Sequence, residues 1–270
     1  MIDWHCHILP GLDDGPETMV ESLSMARLLA ETGFRIVHCT PHCIHGRFEN
    51  TPERVKLMTE RVQRNLLAAG IPLLVKPGME YSLDEYFPWN LENPQPLGDS
   101  RMLLVEAPAR GCPELIRDNI ERVIESGYTP LFAHPERCEL LNGTLRRNGG
   151  GAWKKRVRQL FGVDRNRHPA ETSIFCDDLR HVLMEMGCLF QGNIGSFAGW
   201  YGPEVRQEAL NYLSSGFYSR LGSDGHGFRS LEMALSPGLS LLDGNPEGFA
   251  LLRRQMPTGI HLKLDKYLSC

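Results

Sequence analysis

Short apolar, β-branched runs alternate with longer stretches of helical periodicity along most of the chain. The runs "IDW" (2–4), "RIVHC" (35–39), "LLVKPG" (73–78), "MLLVEA" (102–107), "PLFAH" (130–134), "CLFQGN" (188–193) and "RLGSD" (220–224) predict strands. Helices are predicted over 17–32, 52–69, 113–126, 173–186 and 203–215, with another beginning near 229. "SLSMARLLAETG" (22–33) shows the pattern well, with apolar residues at helical spacing and Gly33 as a stop signal. Strands alternating with helices predict an α/β protein with a mostly parallel sheet. Seven such units suit a TIM-like barrel one strand short of the (β/α)8 type.

One segment breaks the rhythm. From Gly143 to His168 runs "GTLRRNGGGAWKKRVRQLFGVDRNRH", with eight Lys/Arg and one acid. It is too long for a simple connection. It reads as a solvated basic insertion or as a docking arm for an anionic partner. The whole chain, 1–270, is expected to form a single domain that carries this insertion at about 143–168.

Composition changes this picture little. The chain has 270 residues, 41% hydrophobic and 23% charged, with formal net charge −4. That balance gives no reason to expect a nucleic-acid partner. No apolar run reaches the length needed to cross a bilayer, and "IDWHCH" directly after Met1 leaves no room for a signal peptide. Eight cysteines without a C-x-x-C pair read as reduced thiols. A cytoplasmic location is the expectation.

The candidate chemistry lies at strand ends. His5 and His7, one residue apart, point the same way on a strand. The other predicted strands end near His42, Glu80, Glu106, His134, and Asp224 with His226; the sixth alone ends differently, in "QGNIGSFAG". Barrel enzymes assemble active sites from this end of several strands. An acid following an apolar run, as Glu106 does in "VEAP", is costly to bury unless paired or metal-bound. Imidazoles and carboxylates without thiolate suit zinc, manganese or iron. About ten such groups are too many for one ion and enough for a cluster that stabilises phosphoryl displacement.

The stretches "DWHCHILPGLDDGP", "CTPHCIHGRF", "GMEYSLDEY", "LLVEAPA", "FAHPERC", "FQGNIGSFAGWYG" and "GSDGH" together resemble the PHP (polymerase and histidinol phosphatase) superfamily. More narrowly, they are similar to the bacterial metal-dependent protein-tyrosine phosphatases of capsule and exopolysaccharide synthesis. The resemblance implies a distorted (β/α)7 PHP barrel holding three divalent ions, manganese first, with zinc, iron or magnesium as alternatives. By position, His5, His7, Glu80 and Asp224 would hold one ion, and Glu80 would bridge to a second completed by Glu106 and His134. Asp14, His42 and His226 would hold the third; Asp13 and Glu17 could be supporting groups or alternative ligands. The implied reaction is attack of a metal-bridging hydroxide on phosphotyrosine phosphorus, with no phosphoenzyme. The implied partner is an autophosphorylated bacterial tyrosine kinase. Arg137 matches a phosphate-binding arginine of the family, with Arg47 and Arg229 as weaker candidates.

Two other readings stay open: a PHP phosphatase for a small phosphomonoester such as histidinol phosphate, and a metal-bearing binding protein. A cysteine-based phosphatase is excluded, because none of the eight cysteines begins a Cys-x5-Arg motif.

Overall fold

A computed structural model describes residues 1–108, 111–142 and 179–257. The basic stretch 143–168 and the first residues of the helix expected over 173–186 lie outside the described residues. All seven predicted strands are present: β1 (Ile2–Cys6), β2 (Ile36–Cys39), β4 (Leu74–Pro77), β6 (Met102–Glu106), β7 (Thr129–Ala133), β8 (Leu189–Asn193) and β9 (Tyr218–Gly222). Two short strands were not predicted, β3 (His42–Cys43) and β5 (Glu80–Ser82).

Those two short strands set the topology. Thr40-Pro41 separates β2 from β3, and Gly78-Met79, after Pro77 at the end of β4, separates β4 from β5. A proline has no N–H to give a ladder, so each predicted strand continues as a displaced second piece. The pieces sort into a three-stranded sheet, β1-β2-β4, and a six-stranded sheet, β3-β5-β6-β7-β8-β9. Every strand pairing is parallel. The chain is thus a parallel α/β structure whose strand pairing, among the described residues, runs in two sheets. The sheets still meet beside the candidate ligands: the Asp224 amide donates to the His5 carbonyl at 2.8 Å, and the His7 amide to Gly225 at 3.0 Å.

The helices follow local signals. Thr18 caps Met19–Glu31 in a capping box with Glu21. Thr51 caps Pro52–Ala68, which has proline in its first turn. Helices also cover Pro113–Glu125, Leu179–Glu185, Pro203–Ser214 and Phe228–Asp243. A further helix, Pro246–Arg254, was not predicted and is capped by Asn245.

Alternation along the strands separates two apolar regions. Leu103, Val105, Phe132 and Phe190 belong to the large core that also takes in helical residues such as Ile116 and Ile120. Met102, Leu104, Leu131 and Ala133 form a smaller cluster on the other side, with Trp4 and Leu189 against it. Glu106 continues the Met102–Leu104 series. The same period aligns His5 with His7, so the opening His-x-His aims two rings at one place. Gly222 permits close approach of β9 to β1, since a Cβ there would lie 2.5 Å from His5 Cβ.

Candidate metal centre

Glu80 is the hub. Its side chain is fully buried, and β3–β5 pairing sets His42 directly beside it. Glu80 Oε2 lies 3.2 Å from His5 Nε2, 3.2 Å from His7 Nε2 and 3.0 Å from His42 Nδ1. Glu80 Oε1 lies 3.0 Å from His134 Nε2. Asp224 Oδ1 adds contacts of 3.3 Å to His5 and 3.5 Å to His7. His42 Nδ1 reaches Glu106 Oε1 at 3.2 Å. Asp14 Oδ1 faces His42 at 3.5 Å and His226 at 3.4 Å.

Each of the nine expected ligands falls in at least one group whose donor atoms lie within 4.8 Å of one another. These groups are His5–His7–Glu80, His5–His134–Asp224, His42–Glu80–Glu106 and His7–Asp14–His42–His226. They cut across the partition implied by resemblance: His134 gathers with His5 and Asp224, while His42 belongs to two groups.

The donor chemistry fits cations. His5 Nδ1 donates to Gln191 Oε1 at 2.8 Å, and His7 Nδ1 donates to Asp13 Oδ2 at 2.6 Å. These bonds leave Nε2 of each neutral ring as a lone pair, and the two Nε2 atoms are only 3.0 Å apart. Two lone pairs facing each other and two carboxylates require positive charge between them. Glu80 Oε2 and His42 Nδ1 are also buried without a hydrogen bond of proper geometry. Separations of 3.0–3.5 Å are those of neighbouring ligands around an ion with bonds of about 2.1 Å.

In the metal-free protein, protons would do this work. Burial opposes charge on His5, yet Glu80 and Asp224 outweigh it and raise its pKa. Burial also opposes charge on His42, but the nearby carboxylates of Glu106 and Glu80 push its pKa up to about 10. Desolvation would raise Asp224, but His5, His7 and their neighbours hold it well below the usual carboxylate range.

The backbone is strained at the same place. Among the described residues, His134 (φ 33°) and Asp224 (φ 51°) are the non-glycine residues with positive φ. Each such conformation costs about 1–3 kcal/mol and persists where surrounding structure enforces it.

Supporting groups were only partly foreseen. Asp13 lies against His7 and also accepts the His42 amide at 3.0 Å; Glu17 is exposed. Gln191, Asn193, Tyr201 and Glu136 were missed. Arg137 Nη1 at 2.6 Å, Asn193 Nδ2 at 2.8 Å and Tyr201 Oη at 3.3 Å all donate to Asp224 Oδ2. Glu136 is buried and accepts from the Asn193 amide, Ser196 and Tyr218. A signal for the β8 pair existed: Gln191 and Asn193 alternate as polar residues in a strand that is otherwise apolar.

The three predicted arginines differ. Arg137 stacks on Tyr201 at 4.4 Å and, with Glu106, His134 and Cys138, lines a cavity of about 160 Å³. Arg47 is mostly exposed, 3.6 Å from Asp14 and stacked on Phe48. Arg229 is exposed at the start of helix Phe228–Asp243 and forms no ion pair with the cluster.

A family model for capsular polysaccharide synthesis proteins, CpsB/CapC, matches residues 1–148, more than half of the chain. The chain belongs to the CpsB/CapC family. Tyrosine-protein phosphatase YwqE of Bacillus subtilis is 28% identical over 245 residues, covering 90% of this chain and 84% of that protein. Tyrosine-protein phosphatase CpsB of Streptococcus pneumoniae is 29% identical over 165 residues, covering 60% of this chain and 64% of its own. A solved structure from the YwqE and CpsB pair, described as metal-dependent tyrosine phosphatases, superposes with a TM-score of 0.72 at 26% identity. It covers 94% of this chain and 92% of the other. The CpsB/CapC match includes His5, His7, Asp14, His42, Glu80, Glu106 and His134; Asp224 and His226 fall beyond it. Among the described residues, no helix is long and apolar enough to cross a membrane.

Proposed function

We propose that this CpsB/CapC-family chain is a metal-dependent protein-tyrosine phosphatase, with a phosphorylated bacterial tyrosine kinase of capsule or exopolysaccharide synthesis as its substrate. The observation that carries the metal reading is Glu80, a buried carboxylate with four imidazoles within 3.2 Å. The phosphatase reading rests on the named activity of the relatives. His5, His7, Asp14, His42, Glu80, Glu106, His134, Asp224 and His226 would hold the ions, three in number and manganese first. When bound, such ions supply Lewis-acid charge for phosphoryl oxygens and lower the pKa of water.

The chain's own groups have definite tasks in this reading. Gln191 and Asp13 fix the ring orientation of His5 and His7. Arg137 commits Nη1 to Asp224 and offers its remaining N–H groups to a phosphoryl oxygen entering the cavity, since guanidinium donors match phosphate geometry. The phenolate leaving group, with a pKa of about 10, departs without a strong acid.

The proposal extends to architecture and setting. We read the two parallel sheets as a distorted (β/α)7 barrel of the PHP type, in a single domain spanning 1–270. A cytoplasmic setting accords with free cysteines at all six described positions.

The test compares a phosphotyrosine peptide with histidinol phosphate, with added Mn²⁺ and again after chelation. Turnover of the peptide alone, lost on chelation and restored by Mn²⁺, is the expected result. Preference for histidinol phosphate would replace the substrate while keeping the metal site; chelator-resistant turnover would sink the metal reading.

A further inference from the structure

Three rings gather where the turn after β3 meets the short helix Phe87–Asn90 after β5, with His45 and Trp89 exposed and Tyr86 half-buried. His45 lies over Tyr86 with centroids 4.0 Å apart, Tyr86 lies 5.2 Å from Trp89, and His45 meets Trp89 edge-on at 5.7 Å. Trp89 is 63% exposed, so core packing does not account for it. The group is continuous with the metal centre. Ile44 and Phe48 close a small turn by an antiparallel bridge, which presents His45 outward while Phe48 stacks on His42 at 5.7 Å and 10°.

The two segments that carry the rings are acidic, and Glu49 lies 3.5 Å from His45. Residues 44–53 and 84–93 carry Glu49, Glu53, Asp84, Glu85 and Glu92 against a single arginine, Arg47. Arg47 is itself mostly exposed, 3.6 Å from Asp14 and over the Phe48 ring. An open indole among carboxylates attracts a cation through both its π-face and the surrounding charge.

We propose that His45, Tyr86 and Trp89 form an outer subsite for a basic residue flanking the phosphotyrosine of a polypeptide substrate. This rests on the phosphotyrosine reading above and adds a sequence preference to it. The catalytic cluster takes the phosphoryl group, Phe48 lies between, and the outer rings take a lysine or arginine side chain. A small phosphomonoester would not reach them. Tryptophan and tyrosine are also the residues that most often dominate binding at interfaces.

The test measures kcat/KM on three phosphotyrosine peptides that differ only in flanking residues: lysine or arginine, alanine, and glutamate. Wild-type enzyme loaded with Mn²⁺ should prefer the basic peptide to the acidic one by about 3–10-fold at low salt, as exposed cation–π and surface charge contacts permit. The preference should appear mainly in KM. Trp89→Ala should reduce it to near unity, and Glu85→Lys should reverse its sign. Equal turnover of all three by wild type, or a preference unchanged in both variants, overturns the subsite and leaves the phosphatase reading intact. No turnover of any peptide, with metal bound and histidinol phosphate hydrolysed, overturns both. Thermal unfolding of each variant guards against a folding defect, and Glu85→Lys, at an exposed turn, provides a second route if Trp89→Ala is unstable.

Discussion

His38 and His42 are four residues apart and both largely buried, yet burial has opposite outcomes for them. His38 stacks on Trp4 at 4.5 Å, and desolvation lowers its pKa to about 4. His42 faces Glu80 and Glu106, and its pKa rises to about 10. At His38 the indole and a hydrogen bond to the Asp3 carbonyl do not offset lost hydration, whereas at His42 carboxylates reverse the sign. The break at Pro41 separates the two environments. Before it, a histidine packs as an aromatic ring; after it, a histidine belongs to a charged cluster. Residue type therefore says little about a buried histidine until its neighbours are known.

The strongest way to break this contrast is to remove charge from the hub. Glu80→Gln keeps the shape but leaves four imidazoles around a neutral amide. Turnover should fall by about a thousand-fold or more, the scale on which lost charge stabilisation shows in rate, and metal content per chain should drop. Near-native activity with full metal loading would remove Glu80 from its central role.

The pH dependence of folding sharpens the contrast next. The folded His38 ring takes a proton only near pH 4, whereas an unfolded histidine does so near 6.5. Its contribution is full above pH 6.5 and declines as pH falls toward 4, a difference of about 3 kcal/mol at 1.36 kcal/mol per pKa unit. His38→Phe should flatten urea stability over that interval relative to wild type; identical slopes would contradict the assignment. The chelated protein should show the opposite trend. Raised values at His5 and His42 give stability that is full below about 6.5; the His42 share is lost as pH rises toward 10. Metal-loaded protein should not show that loss, because ions take the place of protons.

A smaller effect comes from groups that orient ligands without joining them. Gln191→Leu frees His5 Nδ1, and Asp13→Asn weakens the hold on His7. Each should reduce metal affinity by about 10–100-fold, read by titration with a competing chelator. Unchanged affinity in both would mean that strand packing alone orients the two rings.

Much of this centre was legible in the chain because strand ends can be read from hydrophobic runs. His5, His7, His42, Glu80, Glu106, His134, Asp224 and His226 all follow such runs, and all meet in space. The short strands β3 and β5 were not legible: two or three residues after a proline or a Pro-Gly pair show no periodicity of their own. For the same reason the division into two sheets was hidden. Gln191, Asn193 and Glu136 act through hydrogen bonds to residues distant in sequence, and nothing local announces a partner. Helix Pro246–Arg254 went unread although Asn245-Pro246 is a start signal. Arg137 was anticipated as a phosphate group, but its bond to Asp224 depends on a contact across 87 positions.

Gly222 carries a consequence for how this centre tolerates change. A methyl group there would overlap His5 and approach Gln191 Nε2 to 2.9 Å. An alanine would therefore act as a wedge, displacing one histidine and the amide that steers it while leaving every donor atom in the sequence. The enzyme's chemistry is vulnerable at a residue that has no chemistry, and a survey of inactivating substitutions should find position 222 among the histidines and acids.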